Sequence, residues 1–247
     1  MRIEDANVQT IRDLWSRTEP RLGKARALED AAQTLAEAVV GQFSDSVTLA
    51  RVFVTLPFEG LPPDVHTFAQ TLAEGAHVES ELRPDTRILS LVGTSGKEPE
   101  WNDRRRSKGH VGIPLSSARF VAGIPMISRL LKELGVPIEW IDRRDTEIVT
   151  KKLGDVSGLF HVDNAVEATD HEGRKIIAAQ DFVREYRIRS VFGVGGAYVG
   201  GNIVVLIVFC HDAVPRRAAE RFLPLVHLFK SKTTALASPN KAFAQAT

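Results

Sequence analysis

Cysteine is nearly absent from this chain: Cys210 is the only one in 247 residues. No intrachain disulfide can form, which excludes a disulfide-stapled fold and suits a reducing compartment. Long apolar runs are missing too. The longest, IVVLIVFC at 203–210, is too short to cross a bilayer as a helix. The opening MRIEDANVQTIRDLW has no apolar signal core. An excess of either charge is also missing, with 32 basic against 31 acidic residues and a formal net charge of +1. That balance gives no general electrostatic reason to hold nucleic acid or an acidic membrane. No HExxH, CxxC…CxxC, P-loop, GxSxG or kinase signature occurs. The expectation is a cytoplasmic, non-catalytic protein without nucleic-acid partners or membrane insertion.

What is present is a full set of amphipathic elements. Val8, Ile11 and Trp15 fall at helical spacing, followed by Pro20 and Gly23. Leu28, Ala32, Leu35, Val39 and Phe43 form one helical stripe within 24–43. SVTLARVFVTL at 46–56 and TRILSLVGTSG at 86–96 read as strands, with a helix over 63–75 between them. Residues 124–134 read as a helix stopped by Gly135-Val136-Pro137, and LFHV at 159–162 as a short strand. Residues 138–157 fit no single pattern. Strand 189–199, Gly200-Gly201-Asn202 and the two-faced apolar strand 203–210 predict a hairpin. A last helix is expected over 214–232. Strands joined by a hairpin, with helices at both ends, argue an α+β fold around a mostly antiparallel sheet.

Four stretches resemble the GAF/PAS class of sensory domains, and more closely the GAF-like modules at the front of bacterial sensor histidine kinases and cyclases. They are SVTLARVFVTLPFEGLPP (46–63), LVGTSGKEPEWNDRRRSKGHVGIPL (91–115), IPMISRLLKELGV (124–136) and AAQDFVREYRIRSVFGVGG (178–196). The second is the most specific. The resemblance implies a central antiparallel β-sheet flanked by helices, with terminal helices on one face. On the other face it implies a ligand pocket under the long insert. It also implies a role in signal transduction. Such modules usually precede an output domain, so a separate signalling output protein is the expected partner. The Asn-Lys…Phe…Asp-Glu pattern of cyclic-nucleotide sites is missing, and no cysteine stands where a tetrapyrrole would be attached. The resemblance therefore names no cofactor, and the ligand remains an unidentified small molecule.

The basic loop EPEWNDRRRSKGH (98–110) supplies the candidate polar contacts: Arg105, Arg106 and His110, helped by Trp101 and Asn102. Arg forks suit carboxylate or phosphate, and Trp offers a stacking face. The competing reading is a solvated connector, because Glu98, Glu100 and Asp103 offset most of the positive charge. The opposite wall is expected from Phe160, His161, Phe182, Arg189 and Phe192. His161 and Asp163 share a strand face, but no zinc spacing supports them, so no metal is assigned. GVGGAYVGG at 193–201 lacks the third glycine of a dinucleotide fingerprint and reads as close packing within a strand. Cys210 reads as core.

Domain limits are set at 1–23 for a helical extension, 24–236 for the sensory domain and 237–247 for a flexible tail. Val8, Ile11 and Trp15 have no evident intrachain partner, so a homodimer on the terminal helices is expected. Two other readings stay open: an interaction scaffold whose pocket is filled by its own side chains, and an uncharacterised enzyme.

Overall fold

The computed structural model describes residues 1–142 and 156–244. Six strands form one fully antiparallel sheet in the order β3-β2-β1-β6-β5-β4. They are β1 (Val47–Pro57), β2 (Arg87–Gly96), β3 (Gly112–Pro114), β4 (Ser157–Val162), β5 (Ser190–Ala197) and β6 (Ile203–Cys210). β5 and β6 pair from Ser190↔Cys210 to Ala197↔Ile203. Their turn closes with Tyr198 N donating to Asn202 O at 2.7 Å, and Gly201 takes the left-handed φ of +78° that the turn requires. This is the hairpin and the α+β sheet expected from the sequence. β3 is only three residues long and was not anticipated.

Side-chain alternation splits the apolar residues into two cores. On one face lie α1 (Val8–Leu22), α2 (Leu28–Gln42) and a C-terminal helix (Leu223–Thr233). Their core takes Val52 and Val54 of β1, Leu206 and Val208 of β6, and Phe192 and Val194 of β5. On the other face lie two insert helices, α3 (Ala118–Ala122) and α4 (Pro125–Glu133), and a third, α5 (Gln180–Glu185). Their core takes Phe53, Leu89, Phe160, Val191, Val205 and Ile207. A further helix, Pro63–Gly75, covers the β2–β3 edge with Val65 and Ala69.

Helix α2 sits on the sheet with almost no spacer. Ala31, Ala32 and Ala36 are fully buried, and a Cβ placed on Gly93 would lie 2.4 Å from the Ala32 carbonyl carbon. A β-bulge interrupts the β1–β2 register there, between Val52 and Phe53. Gln33 of α2 accepts the Thr94 N–H at 3.1 Å. The helix thus satisfies a donor beside the irregularity that it covers. The glycines of 193–196 serve a similar end: Leu130 and Leu134 of the insert rest on Gly193 and Gly195.

The N-terminal segment folds back on its own domain. Asn7 caps α1 by accepting the Thr10 N–H at 2.9 Å, and Ile11, Leu14 and Leu22 are buried while Val8 is exposed. Ion pairs Arg21–Glu37 and Glu19–Lys232 hold α1 to its neighbours. Leu28, Ala32, Leu35 and Val39, and likewise Ala218, Phe222, Leu225 and Phe229, are all consumed by this chain's core. Within the segment expected to be a tail, Pro239–Ala242 forms a helical turn, and Ala242 is buried. Residues 245–247 lie outside the described residues.

One stability prediction follows from α2. Gly41 lies inside the helix, exposed, with nothing near a would-be Cβ. Gly41→Ala should stabilise the protein by about 0.5–1 kcal/mol through helix propensity. Urea denaturation checks this; an unchanged or lower midpoint would contradict it.

Candidate functional site

A cavity of about 560 Å³ opens on the insert face of the sheet. Leu49, Arg51 and Phe53 of β1, Leu89 of β2, and Ile207 and Phe209 of β6 form its floor. These side chains project to one face because alternate strand residues do. Ile124, Met126 and Ile127 form one wall; Ile176, Ile177, Phe182 and Tyr186 form another. The rim comes from the loop after β2, through Glu98, Glu100, Trp101, Arg106, Lys108 and His110.

That loop is built, not loose. Two short helical turns, Pro99–Asn102 and Arg104–Arg106, follow one another, and Asp103 opens the second by accepting the Arg105 N–H at 2.9 Å. Asn102 folds the loop onto the end of β2. Its Oδ1 accepts from Ser95 Oγ at 2.8 Å and Gly96 N at 3.0 Å, and its Nδ2 donates to Glu98 O at 3.1 Å. Trp101 lies on Gly96, where a Cβ would come within 2.7 Å of the ring. The indole then meets Tyr186 at 4.6 Å and Phe182 at 5.7 Å between centroids. Phe182 meets Phe209 edge-on at 5.5 Å. These arrangements are favourable for quadrupolar rings.

Three charged groups define the electrostatics. Arg106 and Glu100 pair at 3.4 Å on the rim. Arg51 stands on the floor, donating from Nη1 to Gly109 O and from Nη2 to Ser107 Oγ, each at 2.9 Å. Its Nε is buried without a partner. Burial lowers the Arg51 guanidinium to about 10, so it stays charged at neutral pH. His110 is exposed at the rim; the protein atoms crowded around it, and then the Arg51 charge, hold its imidazole below its ordinary range. His110 also has a left-handed φ of 54°, uncommon for a residue with a side chain.

Of the ten residues singled out in the sequence, Trp101, Arg106, His110 and Phe182 line the cavity. The other six are placed elsewhere. Asn102 is spent on tying the loop to the end of β2. Arg105 points out, more than half exposed, and pairs with Glu29 at 3.2 Å. Phe160 is on the cavity face but fully buried beneath the insert, with Arg129 over its ring at 5.9 Å. His161, its neighbour, faces the opposite way, and its Nε2 meets Val214 O at 2.8 Å. Phe192 pairs with His161 in register and shares its face, against Phe222 at 5.1 Å. Arg189 is exposed at the start of β5. Sequence reasoning missed Arg51; its signal was a lone charge inside the β-rich run VTLARVFVTL.

Cys210 is on the helix face, fully buried, and burial pushes its thiol up. It is expected to resist Ellman's reagent in the folded protein and to react fully in denaturing guanidinium chloride. Rapid labelling of the native state would overturn its placement. Among the described residues, no group of three or more His, Cys, Asp or Glu is arranged to hold a metal. No described helix is long and apolar enough to cross a membrane. A second, more open depression near Arg119, Arg129 and Arg174 is laced with ion pairs, including Arg174–Asp170 at 2.7 Å and Arg129–Glu133 at 2.7 Å.

No family model matches this sequence, and no curated protein does. Solved structures do match. The GAF domain of an Acinetobacter phosphoenolpyruvate-protein phosphotransferase is 14% identical, with 94% of this chain and 96% of that one covered and a TM-score of 0.44. A phycoerythrobilin-bound GAF domain from a cyanobacterial phytochrome is 12% identical, with 97% and 100% covered and a TM-score of 0.44. The chain is similar to GAF domains. The chromophore-binding domain of a Stigmatella aurantiaca phytochrome is 9% identical, with a TM-score of 0.43 and 92% of this chain covered. This chain spans 61% of that domain's length. The α+β description rests on the strand order itself.

Proposed function

We propose that this chain is a non-catalytic sensory or regulatory domain that holds a small molecule in the sheet-face cavity. Occupancy is passed on through the terminal helices to a separate signalling protein. One observation carries the reading: the loop that rims the cavity is also latched to the chain's helical end pieces. Arg104, in the middle of that loop, reaches Glu29 of α2 and Asp64 of the edge helix, and lies 4.6 Å over the ring of Phe243. A ligand that displaces Trp101, Arg106 or His110 must therefore also strain contacts to α2 and to the C-terminal segment. The cavity volume lies within the ordinary range of roughly 300–1,000 Å³ for ligand sites, which argues against a scaffold with a filled pocket. Cys210, the one thiol of the chain, faces away from the cavity, so a ligand held non-covalently fits better.

Native mass spectrometry of freshly purified protein, repeated after denaturation, tests the reading. A bound mass that disappears on denaturation is expected. A protein that never carries added mass, with or without a metabolite extract, would sink it. The proposal extends to signalling as a homodimer. The two stripes that suggested it are intrachain core, which leaves exposed Val8 and Leu228 as apolar positions for a second copy. Light scattering on the full chain decides this part: a monomer at high protein concentration ends it.

A further inference from the structure

We propose that the cavity's ligand is an organic anion, a carboxylate on an apolar body, seated with its charged end on Arg51. This deepens the ligand-holding role proposed above and rests on it. Arg51 is on β1, paired on both sides with Thr94 and Ile207, so the sheet fixes its position. It faces the cavity between Leu49 and Phe53. Among the described residues no carboxylate pairs with it, while Arg106 and Arg129 each have one and Arg104 has two.

A half-buried cation with neutral acceptors only is a costly arrangement unless something answers its charge. Gly109 O and Ser107 Oγ take one proton from each terminal nitrogen. The Nε–H is unused. A guanidinium grips a carboxylate through a parallel pair of N–H groups, and the Nε–Nη2 edge is such a pair. That edge therefore retains donor capacity suited to a carboxylate. Lys108 and His110 on the rim add further N–H donors. Glu98, Glu100 and Arg106 also stand on the rim, Arg106 paired with Glu100, while the interior suits a body without charge: Phe53, Leu89, Met126, Phe182, Ile207 and Phe209 line it. Arg51 also acts as a strut for the loop at 107–109, so the test must separate the two roles.

Isothermal titration calorimetry on the full chain does so with phenylacetate, phenylbutanoate, naphthylacetate and dodecanoate, each beside its primary amide. At least one acid should bind saturably, and its amide should bind at least about tenfold more weakly, the scale of one charged hydrogen bond. Arg51→Met should reduce the acid to the level of the amide. Ser107→Ala, which breaks the strut and keeps the guanidinium, should leave acid affinity within about threefold. If an amide binds as well as its acid, or Arg51→Met keeps the acid's affinity, the anion assignment is overturned and the ligand-holding role survives. If no acid and no amide binds, both fall. The comparison of acid with amide on the unaltered protein requires no variant, so it decides even if Arg51→Met fails to fold.

Discussion

Gly93→Ala is expected to lower stability by about 2–3 kcal/mol, the upper part of the usual range for overpacking. For a chain of this size that is a fall in melting temperature of roughly 5–10 °C. The obstacle is backbone: the new methyl would lie 2.4 Å from the Ala32 carbonyl carbon and 2.6 Å from the Gln33 nitrogen. No rotamer change relieves it, so α2 must lift from the sheet. Lifting α2 also stretches the Gln33–Thr94 hydrogen bond and opens packing around Leu35 and Val39. Gly109→Ala is the matched control, because nothing lies near its would-be Cβ. Circular dichroism melts compare the two. Equal melting temperatures for both variants would mean that α2 does not rest on Gly93 as described.

Arg104→Met should be the most damaging change in the rim loop, at about 3 kcal/mol. Arg104 is only 4% exposed, and Glu29 only 12%. Removing one partner of a buried pair leaves the other's charge uncompensated, a loss of about 3–5 kcal/mol. The lower end applies because Arg105 and the Ala244 N–H still reach Glu29. Adding Glu29→Gln to Arg104→Met should restore part of the loss, and a double-mutant cycle by urea denaturation measures the coupling. Single variants that each cost under about 1 kcal/mol would show the latch to be of surface-pair strength.

The sheet was legible because its main strands are long and patterned. The hairpin was readable from Gly200-Gly201-Asn202 between two β-rich runs, and β6 from its two apolar faces. β3 was not, since Gly112–Pro114 is too short to show a period. The site was half legible for a related reason. Loop residues Trp101, Arg106 and His110 were found by their chemistry, whereas strand residues depend on parity. Phe160 and His161 are adjacent and cannot share a face, and register then carries Phe192 with His161 to the helix side. Arg105 and Arg106 differ only by their place on one tight helical turn. Arg51 was overlooked because an isolated arginine in a strand usually marks a solvated face. Here both faces of the sheet are covered, by the terminal helices on one side and the insert on the other.

The pairing of β1 with β6 has a consequence for biosynthesis. Val54 meets Val204, so one of the two central ladders joins residues 150 positions apart. Ribosomes add about 5–20 residues per second; β1 therefore waits roughly 8–30 seconds for that partner. During that interval VTLARVFVTL presents an open apolar edge with strong β-propensity, the kind of segment that recruits other nascent chains. The charge of Arg51 falls inside that run. A charge there discourages edge-to-edge association, so the side chain assigned to grip a ligand in the finished protein also guards the unfinished one.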